Sequence, residues 1–580
     1  MADAETIRTT VRRRPTLGER AGVARAAMAS AVGAATSALS LSPLLRWRHG
    51  RRAVDTLVIL PRDLRGADPA FYSELLEGQI CLAGTVVVFG DGSPFDDDPA
   101  DEAALLELHG FGWIRHLGAQ AEDQDACLAA GELVDDWIAR YGTRRDHLAW
   151  SPAVVARRAL SWMAHAGVIL AEAEPEAYDR FMRSLGDHLV HLAGCWSTGR
   201  DGVDRLLAVI ARVAGDVCVE GRESFLARSC ADLSKELDRQ IDDDGCHVSR
   251  NPDAIIEVLL DLLPVQHCMR ARDLPVPPAI QDAIARAMPM LRFLRLGRGL
   301  VRFNGADGWQ LDALASVLAQ DPGTGEDDFD EPGPDFRSGY ARLAAGETVV
   351  VADVGKAPPP QFGALAHAGT LSFELAVSGE LVVVNCGAPT FGPRGAARGT
   401  SSHSTLELGD RSSATLAEAA ALLRVAGGPP LVGHGRVVAG GGNDPNGAAV
   451  LDAWHEGYLE SLGLVHTRRL ALAADGSALE GFDRLSGPRD STVRFRTDQP
   501  FAIRFHLATN VMIAGGPWAD AVDLVLANGQ RWRLDVTGAM LSLDASRRYG
   551  SSGVSEGLQV VLRGTTFGES EVRWRLHRRD

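Results

Sequence analysis

The stretch QDPGTGEDDFDEPGPDF, residues 320–336, divides this chain into two kinds of sequence. Its Asp, Glu, Gly and Pro supply turn chemistry and no apolar face, so it reads as a linker or exposed loop. Before it, apolar residues recur at three- and four-residue steps. In AALLELHGFGWIRHL (103–117), Leu105, Leu108, Phe111 and Ile114 mark one helical face. The same period runs through 127–141, 153–170, 176–194, 203–214, 222–241, 253–263 and 278–294, with short breaks such as DDDG at 242–245. Amphipathic helices joined by short links pack as antiparallel pairs, and the lack of a fixed-length repeat argues against a regular solenoid. An irregular α/α toroid is expected over 55–319.

After the linker the period falls to two. TLSFELAVSGELVVVNCG, FAIRFHL and AVDLVLANGQRWRLDV are strand-like runs, and Ala473–Ala474–Asp475–Gly476 and Asn528–Gly529 are hairpin signals. Many short strands with no intervening helical pattern predict an antiparallel β-sandwich or barrel over 337–580. The fold class is therefore multidomain, α then β.

Composition narrows the function classes. A chain of 580 residues is too long for one compact domain. With 46% hydrophobic and 23% charged residues, wholesale disorder is excluded. The net charge of −17 opposes nucleic-acid binding over a broad basic face. The basic residues are almost all arginine, Lys235 and Lys356 being the only lysines, a bias that reflects a GC-rich genome and carries no functional weight. Eight cysteines form no CxxC pair and read as buried, reduced thiols. Residues 1–54 read as a weakly amphipathic, disordered leader. The uncharged stretch 26–45 lies between Arg12–Arg14 and Arg46, but it is mostly Ala, Ser, Gly and Thr. It predicts neither an integral membrane segment nor a clear signal peptide. No HExxH, Walker A or dinucleotide GxGxxG pattern occurs, and AGGGND (439–444) lacks the Lys and helix of a phosphate loop. Asp242, Asp243 and Asp244 lack EF-hand spacing and read as a solvated turn.

HAGTLSFELAVSGELVVVNCG (367–387) followed by ARGTSSHSTLELGD (397–410) resembles the signature of the heparinase II/III family. That signature runs H-x-H-x-D-x-L-S-F, then a strand ending D-P-G-T-Y, then R-x-T-x-x-H-N-T. Leu371, Ser372 and Phe373 match the L-S-F, Gly387 the glycine, and Arg398, Thr400, His403 and Thr405 the last element. LHGFGWIRHL and LDRQIDDDGCHVSRNP extend the likeness more loosely into the helical half. The resemblance implies an α/α toroid with a β-sandwich, working on acidic polysaccharide in the cell envelope or periplasm; the unclear export signal leaves the cytoplasm open. The chemistry implied is β-elimination, in which the uronate charge is neutralised, a base removes the C5 proton and an acid protonates O4.

Residue by residue, the resemblance places a zinc-type divalent metal at His367, Asn385 and His403, Asn385 standing where the family has Asp. It puts His403 and Arg398 in the catalytic set. Other departures remove chemistry: Leu365 replaces the first signature His, Gly369 the Asp, Phe391 the Tyr, and Ala254 a helical-half Tyr. The segment 199–215 has no Asn-His pair. His247 beside Arg250 is a candidate replacement base and neutraliser, a polar surface loop being the alternative, and Tyr340 a candidate replacement acid, a packing residue being the alternative. Arg394 and Arg398 are candidates for the uronate carboxylate. Among Trp113, Trp137, Trp150, Trp162 and Trp196, Trp150 is the expected sugar-stacking residue. Two readings follow: a lyase cleaving a uronate-containing polysaccharide, or a glycan-binding envelope protein on the lyase fold without turnover. The partners expected are an acidic polysaccharide and, as an oligomer, a homodimer.

Overall fold

The computed structural model describes residues 54–308, 310–321, 333–390, 394–417, 428–487, 498–514, 520–550, 553–566 and 571–579, with positions 28, 31, 32 and 35 of the leader. The remaining leader, linker residues 322–332 and Phe391 lie outside them.

Apolar spacing builds the first half. α1 (Phe71–Leu76), α2 (Glu102–Gly110) and α3 (Ile114–Gly118) open the helical domain. The segment 103–117, expected as one helix, breaks at Phe111, whose φ of 55° ends α2. Its ring is fully buried, 4.9 Å from Trp113 and 5.5 Å from Trp162, and this burial offsets the left-handed backbone. α4 (Gln124–Tyr141) begins where Asp123 accepts hydrogen bonds from the Asp125 and Ala126 amides. α5 (Pro152–Ala164), α6 (Ala166–Ile169), α7 (Pro175–Cys195), α8 (Val203–Cys218) and α9 (Glu223–Gln240) follow. α10 (Pro252–Ala271), α11 (Pro278–Phe293) and α12 (Leu311–Leu318) complete the half. α10 outruns its expected end at 263 and continues through Pro264. Nearly all its side chains are buried, and that packing outweighs the lost backbone hydrogen bond.

The second half is two antiparallel sheets face to face. The first has nine strands and carries Tyr340–Ala345, Thr348–Asp353, Phe373–Val377, Glu380–Val384 and Pro500–Leu507 in its centre. The second has eight, from Val437–Asn443 at one edge to Met512–Ile513 at the other. Both hairpin signals hold: Gly476 and Gly529 take φ of 72° and 84° in tight turns. Between the sheets Phe373, Phe505 and Trp574 form an aromatic centre, with Phe373 and Trp574 stacked at 5.7 Å. One ion pair is buried there. Arg468 pairs with Asp483 at 2.8 Å, and a second Arg468 nitrogen donates to the carbonyls of Leu371 at 2.8 Å and Ser404 at 3.0 Å. His466 and Trp574 also donate to Asp483, so no buried oxygen of that carboxylate is left bare.

The halves meet over an apolar seam in which Ile255, Leu259, Phe293 and Phe303 pack with Tyr340, Val351 and Ala376. One arginine staples this seam. From the helical side, Arg250 donates to the carbonyls of Ser338 (3.1 Å), Gly339 (2.8 Å) and Lys356 (2.9 Å), and to Asp353 at 2.7 Å. Tyr340 donates to the Arg250 carbonyl and accepts from Asn304 at 3.0 Å. Arg250 and Asn304 both hold positive φ, 57° and 50°, each costing about 1–2 kcal/mol that the network must offset. Removing one member of a buried ion pair costs about 3–5 kcal/mol. Arg250→Ala should therefore lower the denaturant midpoint and melting temperature while leaving the native far-UV spectrum intact. An arginine that only met substrate would leave both midpoints unmoved.

Candidate functional site

The signature segments converge at the end of the first sheet. His367 precedes the strand Phe373–Val377, Asn385 ends Glu380–Val384, and His403 leads into Leu406–Leu408. Folding brings His367 Nδ1 to 3.0 Å from His403 Nε2 across 36 residues of sequence. His403 Nδ1–H donates to the Gly399 carbonyl at 2.7 Å, so its Nε2 accepts and His367 Nδ1 donates. Burial lowers both imidazoles, His403 to about 4. His367 falls further because His403, Arg398 and Arg394 add to the burial. Both rings are neutral at pH 7. The change from Asp to Gly at 369 has a geometric counterpart: a Cβ there would lie 2.6 Å from His403 Cδ2, so the His403 ring fills that space.

A divalent metal does not fit this donor set. Asn385 Oδ1 accepts the Ser404 amide at 2.9 Å, which fixes the orientation of the side-chain amide. The other branch is an NH₂, buried without a partner, and it has no lone pair to give. Two neutral imidazoles remain, with Arg394 and Arg398 as the charges acting on His367. The charge that a zinc ion would call for is missing.

The other expected catalytic side chains are joined into the structure rather than aimed at a ligand. His247 is buried, its Nδ1 accepting the Ser249 amide at 3.1 Å and its Nε2–H donating to Gln240 at 2.9 Å. Arg250 and Tyr340 form the interdomain staple. Arg398 donates to three carbonyls, Ala366 (2.8 Å), Pro429 (2.8 Å) and Gly363 (3.1 Å), and so ties together three loops. Trp150 is core: its Nε1–H donates to the Tyr141 carbonyl at 2.8 Å and Arg145 covers its face at 3.4 Å. The assignments of His247, Arg250, Tyr340 and Arg398 to catalysis and of Trp150 to sugar stacking therefore give way, because each polar atom that would serve already has an internal partner. Arg394 alone of the expected substrate residues keeps some exposure. Its pKa is lowered by burial, against which Asp307 and Asp253 act, and Arg200 adds to the lowering.

Two clusters escaped sequence reading. Asp253, at the start of α10 beside Ala254, is buried and accepts the Asp307 amide at 3.0 Å. Burial, and then the Asp307 and Glu257 charges, push its carboxyl up to about 8. The only sequence hint was an acid beside the position where the family has Tyr. The second cluster is Asp98, His109 and His147, whose donor atoms lie within 4.8 Å of one another. It has the composition of a metal site, yet Trp137 donates to His109 Nδ1 (3.0 Å) and the Ala149 amide to His147 Nδ1 (3.1 Å). Both rings must carry their proton on Nε2: His147 donates it to Asp98 at 2.9 Å, and His109 Nε2 lies 3.5 Å from the same carboxylate, which also accepts from Tyr141 at 2.8 Å. With their protons on Nε2, neither ring turns a lone pair toward Asp98 to share a metal with it.

A cleft of about 580 Å³ opens in the helical half, and every residue lining it precedes Pro264. None of the expected site residues lines it. Its arginines are already engaged. Arg157 forms a two-pronged pair with Asp261 (2.8 and 2.8 Å), and Arg65 reaches Asp261 (2.9 Å) and Glu257 (3.1 Å). Arg200 pairs with Asp204 at 3.0 Å, and Arg115 donates to the Gly66 and Gly112 carbonyls. Glu102, Glu107 and Asp63 add negative charge. A polyanion would meet no uncommitted guanidinium along these walls.

Comparison with known proteins fits this geometry. Residues 331–575 match the family model for the heparinase II/III-like C-terminal domain. FtsZ-localized protein C of Caulobacter vibrioides is 29% identical over 532 residues, 89% of each chain. Among solved structures, heparinase III superposes with a TM-score of 0.71 at 13% identity, covering 96% of this chain and 91% of that one. A mutant of the heparan sulfate lyase HepC of Pedobacter heparinus gives 0.61 at 14% identity, covering 97% and 89%. The structural likenesses establish the toroid-plus-sandwich fold.

Two outcomes follow from the site. The purified chain should carry no zinc by elemental analysis, whereas Asn385→Asp, which puts a second lone-pair oxygen in place of the NH₂, should retain it. Stoichiometric zinc in the unaltered protein would refute the donor-set argument. For Asp253 the folded pKa, about 8, lies above that of an unfolded carboxyl. Its contribution is therefore fully present below about pH 4 and is lost as pH rises through 8. Asp253→Asn should stabilise the protein at pH 8 and not at pH 4, as read from paired denaturation curves.

Proposed function

From a chain that carries a heparinase II/III-like C-terminal domain, we propose a protein that has kept the lyase fold without its turnover and that localises to FtsZ, as the name of its Caulobacter relative says of that protein. One observation carries the proposal: His247, Arg250, Tyr340 and Arg398 each have their functional atoms held by internal hydrogen bonds, most of them to backbone carbonyls. A group that must neutralise a uronate or shuttle a proton needs a free donor or lone pair facing the substrate. Loss of such groups costs a lyase orders of magnitude in rate. The relative's 89% coverage of both chains supports a shared role for the whole molecule rather than for one domain. Association with FtsZ would place the protein in the cytoplasm, the location that the unclear export signal leaves open. No described helix is long and apolar enough to cross a membrane.

The lyase reading keeps one supporting feature, the open cleft and its four arginines. In that reading a uronate would displace Asp261 or Asp204 from its guanidinium partner. A panel of alginate, heparan-type and bacterial exopolysaccharide substrates separates the two. No absorbance should develop in the unsaturated-uronate band at any enzyme concentration, while a fluorescent fusion should follow FtsZ in dividing cells. Unsaturated product on any polymer would overturn the non-catalytic reading. A fusion indifferent to FtsZ would overturn the localisation.

A further inference from the structure

We propose that the groove between α4, α6 and α7 is a docking site for a basic amphipathic helix of a partner protein. The groove holds about 390 Å³, within the ~300–1,000 Å³ of typical binding pockets. Its floor is apolar, with Val134, Ile138, Ile169 and Phe181 beneath, and Leu128 stands at its edge with 41% of its surface exposed. An exposed leucine beside an apolar hollow is an anchor point for a facing apolar residue. The floor depends on one glycine. A Cβ on Gly131 would lie 3.0 Å from the Ile169 carbonyl oxygen, so a larger residue would push α4 and α6 apart.

The rim selects the occupant. Glu132, Glu172, Glu174 and Glu176 surround the apolar floor. The single cation among the lining residues, Arg180, is held by both oxygens of Asp135 at 2.7 and 2.8 Å. The negative field reaches inward: after burial, the charges of Glu172 and Asp123 are what raise the Cys127 thiol. An acidic glycan or an anionic lipid surface would be repelled here. A helix with leucine-type residues at i, i+3, i+4 and i+7 flanked by Arg or Lys satisfies floor and rim together. The groove shares no lining residue with the cleft, so the inference stands apart from whether the chain turns over a polysaccharide.

The test is fluorescence anisotropy of the full-length protein against a labelled helical peptide of leucine and arginine, with a leucine–glutamate peptide of the same spacing as control. Only the arginine peptide should bind, and added salt should weaken it. Leu128→Asp, and separately Glu172→Lys with Glu174→Lys, should each weaken binding by at least ~10-fold. All three side chains are exposed, and an unchanged melting temperature confirms that the variants fold. Failure of the arginine peptide to bind overturns the proposal, as does equal affinity in either variant. Anionic vesicles bound by the protein and released by the same substitutions would assign the groove to a lipid surface and overturn the peptide.

Discussion

A buried guanidinium must satisfy its donors, and at the seam between the two halves Arg250 has solved that problem with atoms from the other domain. Its donors end on Ser338, Gly339, Lys356 and Asp353, all beyond the linker. Burial alone would lower the pKa of Arg250, yet Asp353 and its other partners raise it, so the charge persists at any pH the fold survives. The sandwich is thereby held in one orientation against α10. The apolar seam supplies adhesion without direction; the guanidinium supplies direction. Two left-handed residues, Arg250 and Asn304, are tolerated because this network over-determines them.

The same logic explains how a site can keep its residues while their polar atoms are turned to internal partners. Arg398 still stands where the family signature has arginine, but its nitrogens close three loops through carbonyl oxygens. His367 and His403 still meet, His367 Nδ1 serving the His403 ring while its own Nε2 is buried without a partner. Asn385 keeps the shape of a carboxylate and exchanges one lone-pair oxygen for an NH₂. In the cleft, carboxylates on α10 answer the arginines that a uronate would otherwise occupy.

The fold was legible because period is a property of neighbours in sequence. The change from 3.6 to 2 across 320–336 places the helical half before the sandwich, and the turns at Gly476 and Gly529 are local as well. Where burial overrides local preference, as at Phe111 and Pro264, the elements depart from the pattern. The site was less legible because a side chain's role depends on partners that sequence does not rank. The signature residues His367, Asn385 and His403 were found, and two of the three do converge. Nothing in sequence showed that Asn385 faces an amide, that the His403 ring takes the room of a side chain at 369, or that Trp150 lies inside the core. Asp253 and Asp307, 54 positions apart, carry no motif at all.

Arg468 grips the carbonyls of Leu371 and Ser404, one in each of the two signature segments. Those acceptors belong to the main chain, so any residue at 371 or 404 would offer the same oxygen. The two segments can thus drift in side chain while the buried cation keeps them side by side.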